Sequence, residues 1–222
     1  MAFRPRGRQP AIPATADSSV RLAHLSDVHV TAPGCVWKAE DWFNKRLSAW
    51  VNLRVLGRGL RFRRADQILT ALAGELRDRP VDHVVFSGDA TALGFEEEVA
   101  RAAALLGVGH RPGLAVPGNH DYCTRAAMRS GHFERHFAPW QAGARVGDFT
   151  YPFAQRAGPL WLVGVNSATA NRWAWDARGA VGAEQLGRLE QLLRRLVFSD
   201  LCSQGSSSSK EGPSRKAPAP GS

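Results

Sequence analysis

An α/β fold is predicted by three features of this sequence. Strand-like and helix-like apolar periodicities alternate along residues 20–196. Three of the predicted strands run into polar turns that carry Asp, His or Asn, the places where open α/β sheets present groups to a ligand. With 222 residues and 44% hydrophobic content the chain can bury a real core as one domain, which excludes a peptide hormone or a simple coil.

The elements follow in order. Residues 1–19 form a basic leader rich in Pro and Ala with no apolar run, expected to be disordered. Residues 20–27 alternate apolar and polar side chains, the period of a first strand, which ends at Asp27 and His29. Residues 37–64 turn aromatic and cationic, with Trp42, Phe43, Leu47, Trp50 and Leu53 at helical spacings, and read as an insertion between core elements. A helix over 65–78 uses Ile68, Leu69, Leu72 and Leu76 as its apolar face and stops before Pro80. A buried strand over 81–86 runs into Ser87, Gly88 and Asp89, and a helix over 95–106 leads to a short strand over 114–116. An aromatic helix over 125–137, strands over 149–153 and 160–165, and an amphipathic helix over 183–196 complete the pattern. Residues 197–222 turn to Ser, Gly, Lys, Ala and Pro, a low-complexity tail that cannot bury enough apolar surface to order itself.

Twenty-nine Lys and Arg against twenty Asp and Glu give a formal charge of +9, which favours a phosphate-bearing partner or an anionic membrane surface. Three widely spaced cysteines, Cys35, Cys123 and Cys202, suggest neither a disulfide framework nor a zinc knuckle, so a reducing, cytoplasmic compartment is expected. No uncharged apolar run approaches membrane-spanning length. The cationic aromatic face at 37–64 is compatible with peripheral contact to an anionic membrane, against the plainer reading that its tryptophans cap a cleft or fill a core.

The chemistry lies at three strand ends. Asp27 and His29 stand two apart, so in an extended segment both would leave on one side and grip one cation. Asp89 follows Gly88, where a tight turn lets its carboxylate bridge two cations about 3.5 to 4 Å apart. Asn119 offers a neutral carbonyl oxygen for a second cation, and the neighbouring His120 is placed to face the substrate as an acid or a transition-state donor. Each piece is common by itself, but the ordered set Asp-x-His, Gly-Asp and Gly-Asn-His-Asp arises by chance in about one chain in ten thousand.

Through Ser26-Asp27-Val28-His29, Ser87-Gly88-Asp89 and Pro117-Gly118-Asn119-His120-Asp121 the sequence resembles the calcineurin-like metallophosphoesterases. Phe133-Glu134-Arg135-His136-Phe137 and the segment around Gln185, Leu186, Leu189 and Glu190 resemble the branch that contains cyclic-nucleotide phosphodiesterases. The resemblance implies a four-layer α/β/β/α sandwich and metal-dependent hydrolysis of a phosphodiester or phosphomonoester at a binuclear centre. It implies that Asp27, His29 and Asp89 hold one metal ion, that Asp89 and Asn119 hold the other, and that His120, oriented by Asp121, assists the leaving group. Mixed Asp, Asn and His ligation suits manganese, iron or zinc.

The family continues with a lone histidine at another strand end and a Gly-His-x-His motif. None of the seven histidines here lies beyond His136. The expectation is a chain truncated or frame-shifted near Val197, with a second sheet left incomplete and Trp161, Val163 and Val165 losing cover. A non-catalytic phosphate-binding or partner-binding module is therefore an alternative function. A nuclease of the same family is another, although the Arg58, Arg61, Arg63 and Arg64 cluster is short for a nucleic-acid groove. Elsewhere, Phe133 and Phe137 are expected to anchor their helix with His132 and His136 partly exposed, and Tyr122 and Arg125 to border the site.

Overall fold

The computed structural model describes residues 19–55, 64–170 and 176–207, the last seven as backbone alone. The leader over 1–18, the arginines at 58, 61 and 63, and the tail beyond 207 lie outside the described residues. A parallel sheet is built from β1 (Leu22–Leu25), β2 (His83–Phe86) and β3 (Gly113–Ala115), with β2 central. Leu22 pairs with His83 and Leu25 with Phe86, while Val84 pairs with Gly113. A second, antiparallel sheet holds β4 (Ala144–Arg145), β5 (Phe153–Ala157) and β6 (Leu160–Gly164), with β5 central.

The two-residue period of β2 decides how the layers stack. Val84 and Phe86 face one way, into the core that joins α2 (Ala65–Asp78), α3 (Glu96–Leu106) and α5 (His132–Phe137) through Leu69, Leu76, Val99, Leu106, Phe133 and Phe137. Val85 faces the other way with Leu114, toward Phe153 and Leu162 of the second sheet. His83, which opens β2, is buried and bonds across the same interface to Gln155 Oε1 at 2.8 Å. Residues of opposite parity on the second sheet, Ala154, Trp161 and Val163, then pack on Leu192 and Leu196 of α6 (Ala183–Ser207). Helices, parallel sheet, antiparallel sheet and helix make the four layers expected.

Several boundaries differ from the sequence expectation. The helix expected over 125–137 is two, α4 (Arg125–Ser130) and α5, because Gly131 adopts φ 64° between them. The strand expected over 149–153 begins instead at Phe153, and the exposed Phe149 stacks beneath the Arg188 guanidinium at 4.0 Å. The last helix runs to Ser207, eleven residues past the expected end, where Asp200 ties it to β5 and β6 through Arg156 and Trp161. The expected loss of cover at Trp161 and Val163 is corrected by the same helix, which packs on both.

Within the insertion, a 3-10 turn (Ala39–Phe43) precedes α1 (Lys45–Arg54), capped by the Asn44 side chain. Trp37 and Trp50 turn inward against Leu93 and Phe95, as a core filling. Trp42 and Phe43 carry the exposed aromatic surface, Phe43 at 92% exposure. No described helix is long and apolar enough to cross a membrane.

Candidate metal centre

The loops that leave β1, β2 and β3 lie side by side. The amide of Asp27 donates to the Gly88 carbonyl at 3.1 Å, that of His29 to Asp89 at 3.0 Å and that of Val30 to Ala90 at 2.8 Å. The pairing of the sheet therefore continues past the strand ends into the loops. The extended geometry expected for Asp27 and His29 is not what forms: their φ values are 57° and 46°, and Asp89 has φ 58°. These are the three non-glycine residues with positive φ among those described, and all are predicted ligands.

Glycine makes the close approach of the other two loops possible. A Cβ on Gly88, at φ 99°, would stand 2.4 Å from the Gly118 nitrogen. One on Gly118 would stand 2.1 Å from Asp89 Oδ1. Asp89 Oδ1 accepts from the His120 amide at 2.9 Å, which locks the bridging candidate to the third loop.

Asp121 is the buried tie of this junction. Its Oδ2 accepts from the amides of Asp89 at 2.9 Å and Gly118 at 2.8 Å, and its Oδ1 from the amide and hydroxyl of Thr91 at 3.0 and 3.1 Å. Burial pushes its carboxyl up to about 7, opposed by the Gly118 amide and reinforced by the charge of Asp89. Where the resemblance implies that Asp121 orients His120, the structure gives the His120 ring to the Ala92 carbonyl, at 3.0 Å from Nδ1. Asp121 acts on the loops that carry the candidate ligands.

His29 and His120 meet edge to face, with ring centroids 4.6 Å apart. Carbonyl oxygens only accept, so the bonds from Nδ1 of His120 to Ala92 and from Nδ1 of His29 to Thr91, at 3.3 Å, place the proton on Nδ1 in both rings. Nε2 then carries the lone pair, the tautomer of an imidazole presented to a metal and steadied by a backbone carbonyl. Burial, with His120 adding to it, holds the pKa of His29 below its ordinary value and favours this neutral form. Donor atoms of His29, Asp89 and His120 all lie within 4.8 Å of one another, a grouping that fits a divalent cation. Asp27 Oδ1 lies 3.7 Å from His29 Nε2.

Asp27, Asp89 and Asn119 line an open cleft of about 210 Å³. Ser167, Arg178 and Gly179 line it as well. Sequence reasoning brought together the six residues of the three motifs, but it missed Thr91, the Ala92 carbonyl, Ser167 and Arg178. Thr91 was within reach, standing two residues after Asp89 in a run that pairs with the first loop. Nothing local marks Arg178.

Tyr122 leaves the site. Its hydroxyl donates to Glu134 Oε1 and its ring is buried in the helical core, so the expectation that it borders the substrate is corrected. Phe133 and Phe137 are buried as expected, and His132 and His136 both meet Glu96 at the surface, at 3.1 and 3.4 Å.

Among known proteins, a family model described as calcineurin-like phosphoesterase matches residues 20–179. No curated protein matches the chain in sequence.

Proposed function

Because the chain belongs to the calcineurin-like phosphoesterase family, we propose that it hydrolyses a phosphodiester or phosphomonoester at a two-metal centre built on the loops after β1, β2 and β3. The observation that carries this reading is the convergence of His29, Asp89 and His120 donor atoms within 4.8 Å, each from a different loop. In this reading Asp27, His29 and Asp89 hold one cation, and Asp89 with Asn119 holds the second. Manganese, iron or zinc suits the mixed oxygen and nitrogen donors. Bound divalent ions supply Lewis acidity toward a phosphoryl oxygen and lower the pKa of water.

The chain itself does the positioning. Asp121 fixes the spacing between the Asp89 loop and the Asn119 loop, and the carbonyls of Thr91 and Ala92 set both imidazoles in one tautomer. With Nδ1 bonded to Ala92, His120 can act as proton donor to the departing alcohol, or as a hydrogen-bond donor to the transition state, only from the imidazolium form, in which Nε2 also carries a proton. The cleft volume of about 210 Å³ is below the ~300–1,000 Å³ of typical small-molecule pockets. It suits a phosphoryl group with its immediate substituents, the remainder of the substrate lying outside. The membrane-peripheral reading of the insertion keeps the exposed Trp42 and Phe43 as its support.

The test is hydrolysis of bis(p-nitrophenyl) phosphate by the purified chain with manganese, beside Asp89→Asn. Expected is metal-dependent turnover that falls at least about a hundredfold in the variant, since an adjoining partner alone changes metal affinity or activity by 10–100-fold. Equal turnover in both proteins would overturn the proposal.

A further inference from the structure

We infer that Arg178 takes the phosphate of the substrate in the cleft that it lines together with Asp27, Asp89 and Asn119; this rests on the phosphoester reading above. Among the described residues that line the cleft, Arg178 is the one Lys or Arg, while Asp27 and Asp89 bring carboxylates to it. Cations held by those carboxylates would neutralise them. The charge of a bound phosphate then needs a further positive group, and a planar guanidinium can donate to two phosphate oxygens side by side.

The guanidinium is held in one orientation. Arg178 Nε and Nη2 donate to the two oxygens of Asp176 at 3.0 and 2.9 Å, and its own amide donates to the same carboxylate at 3.1 Å. An ion pair whose arginine side chain is 87% exposed contributes little to stability, so this geometry is better explained by orientation than by folding.

The backbone beneath it is fixed from three directions. The Ala180 amide donates to Ser167 and the Thr169 hydroxyl to the Arg178 carbonyl, both at 2.9 Å. Gly179 allows this approach, because a Cβ there would stand 2.3 Å from the Ser167 carbonyl oxygen. From the insertion, the buried Lys45 reaches 131 positions along the chain to donate from Nζ to the Asp176 carbonyl at 3.1 Å. Its neighbour Arg46 bonds the carbonyls of Leu93 and Gly94, just beyond the loop that steadies the two imidazoles. Consecutive residues of α1 thus tie both the metal-site loop and the Arg178 loop.

The deciding experiment is calorimetric titration of inorganic phosphate into the manganese-loaded chain, for the wild type, Arg178→Ala and Arg178→Lys, with manganese affinity measured separately. Expected is a phosphate Kd weaker by about ten- to a hundredfold in Arg178→Ala, the scale of a lost charge-assisted hydrogen-bond pair. Arg178→Lys should fall between, and manganese affinity should be the same in all three. Phosphate affinity unchanged in Arg178→Ala, or no phosphate binding by the wild type, would overturn the inference. Loss of manganese binding in the wild type would instead count against the hydrolase reading.

Discussion

At the scale of single residues, Asp27, His29 and Asp89 spend conformational energy to be where they are. A left-handed backbone costs an L-residue about 1–2 kcal/mol, and three such residues persist here because loop-to-loop hydrogen bonds and the buried Asp121 hold them. His120 separates two roles that the geometry allows, ligand or proton donor. Replacement by Asn tests them with two esters, one carrying p-nitrophenol and one an alkyl alcohol that leaves poorly. As a proton donor, His120 is expected to matter on the order of a hundredfold or more for the alkyl ester and much less for the aryl ester. As a ligand it would lower both rates alike, together with manganese affinity. The motifs made all six candidate residues legible in the sequence. Their backbone geometry was not, because a positive φ at an aspartate or histidine is imposed by neighbouring loops and leaves no mark in composition.

At the scale of elements, the insertion is more than an appendage. Arg46 and Asp41 form a buried pair at 2.6 Å, and the guanidinium also stacks 3.9 Å over Phe95 while bonding Leu93 and Gly94. Arg46→Ala strands the Asp41 carboxylate in the interior, and the expected loss is about 3–5 kcal/mol in urea unfolding. A loss below about 1 kcal/mol would mean that the pair is solvated in solution. The aromatic and cationic character of this segment was plain in the sequence. That Trp50 turns inward while Phe43 turns outward was not, since both sit at helical spacings and only the position of Leu93 and Phe95 distinguishes them.

At the scale of the whole molecule, stability should depend on pH through Glu98, which joins α3 to the loop below the insertion. Its Oε2 accepts from the amides of Leu93 at 2.8 Å and Phe95 at 3.3 Å. Burial pushes its pKa up to about 7 from an ordinary 4.5, against the pull of those amides and of Arg46. Between those values the folded chain holds a proton that the unfolded chain has released, so this contribution to stability falls as pH rises from about 4.5 to about 7. Glu98→Gln, which keeps an acceptor for the amides, should flatten the fall of melting temperature across that window in metal-free protein. An unchanged slope would show that Glu98 is ionised throughout.

The sequence by itself determined the α/β alternation, the helix over 65–78 to the residue, and the three polar turns, because apolar period and turn chemistry are local properties. It misplaced the strand at Phe153 and ran α4 and α5 together, where side-chain pattern and backbone conformation part company at Gly131. Only the tertiary structure decided that α6 covers the second sheet, that Asp121 serves the loops, that Lys45 ties the loop of Asp176, and that Arg178 lines the cleft. Those relations join residues tens to more than a hundred positions apart, and chain distance alone carries no information about which of them meet.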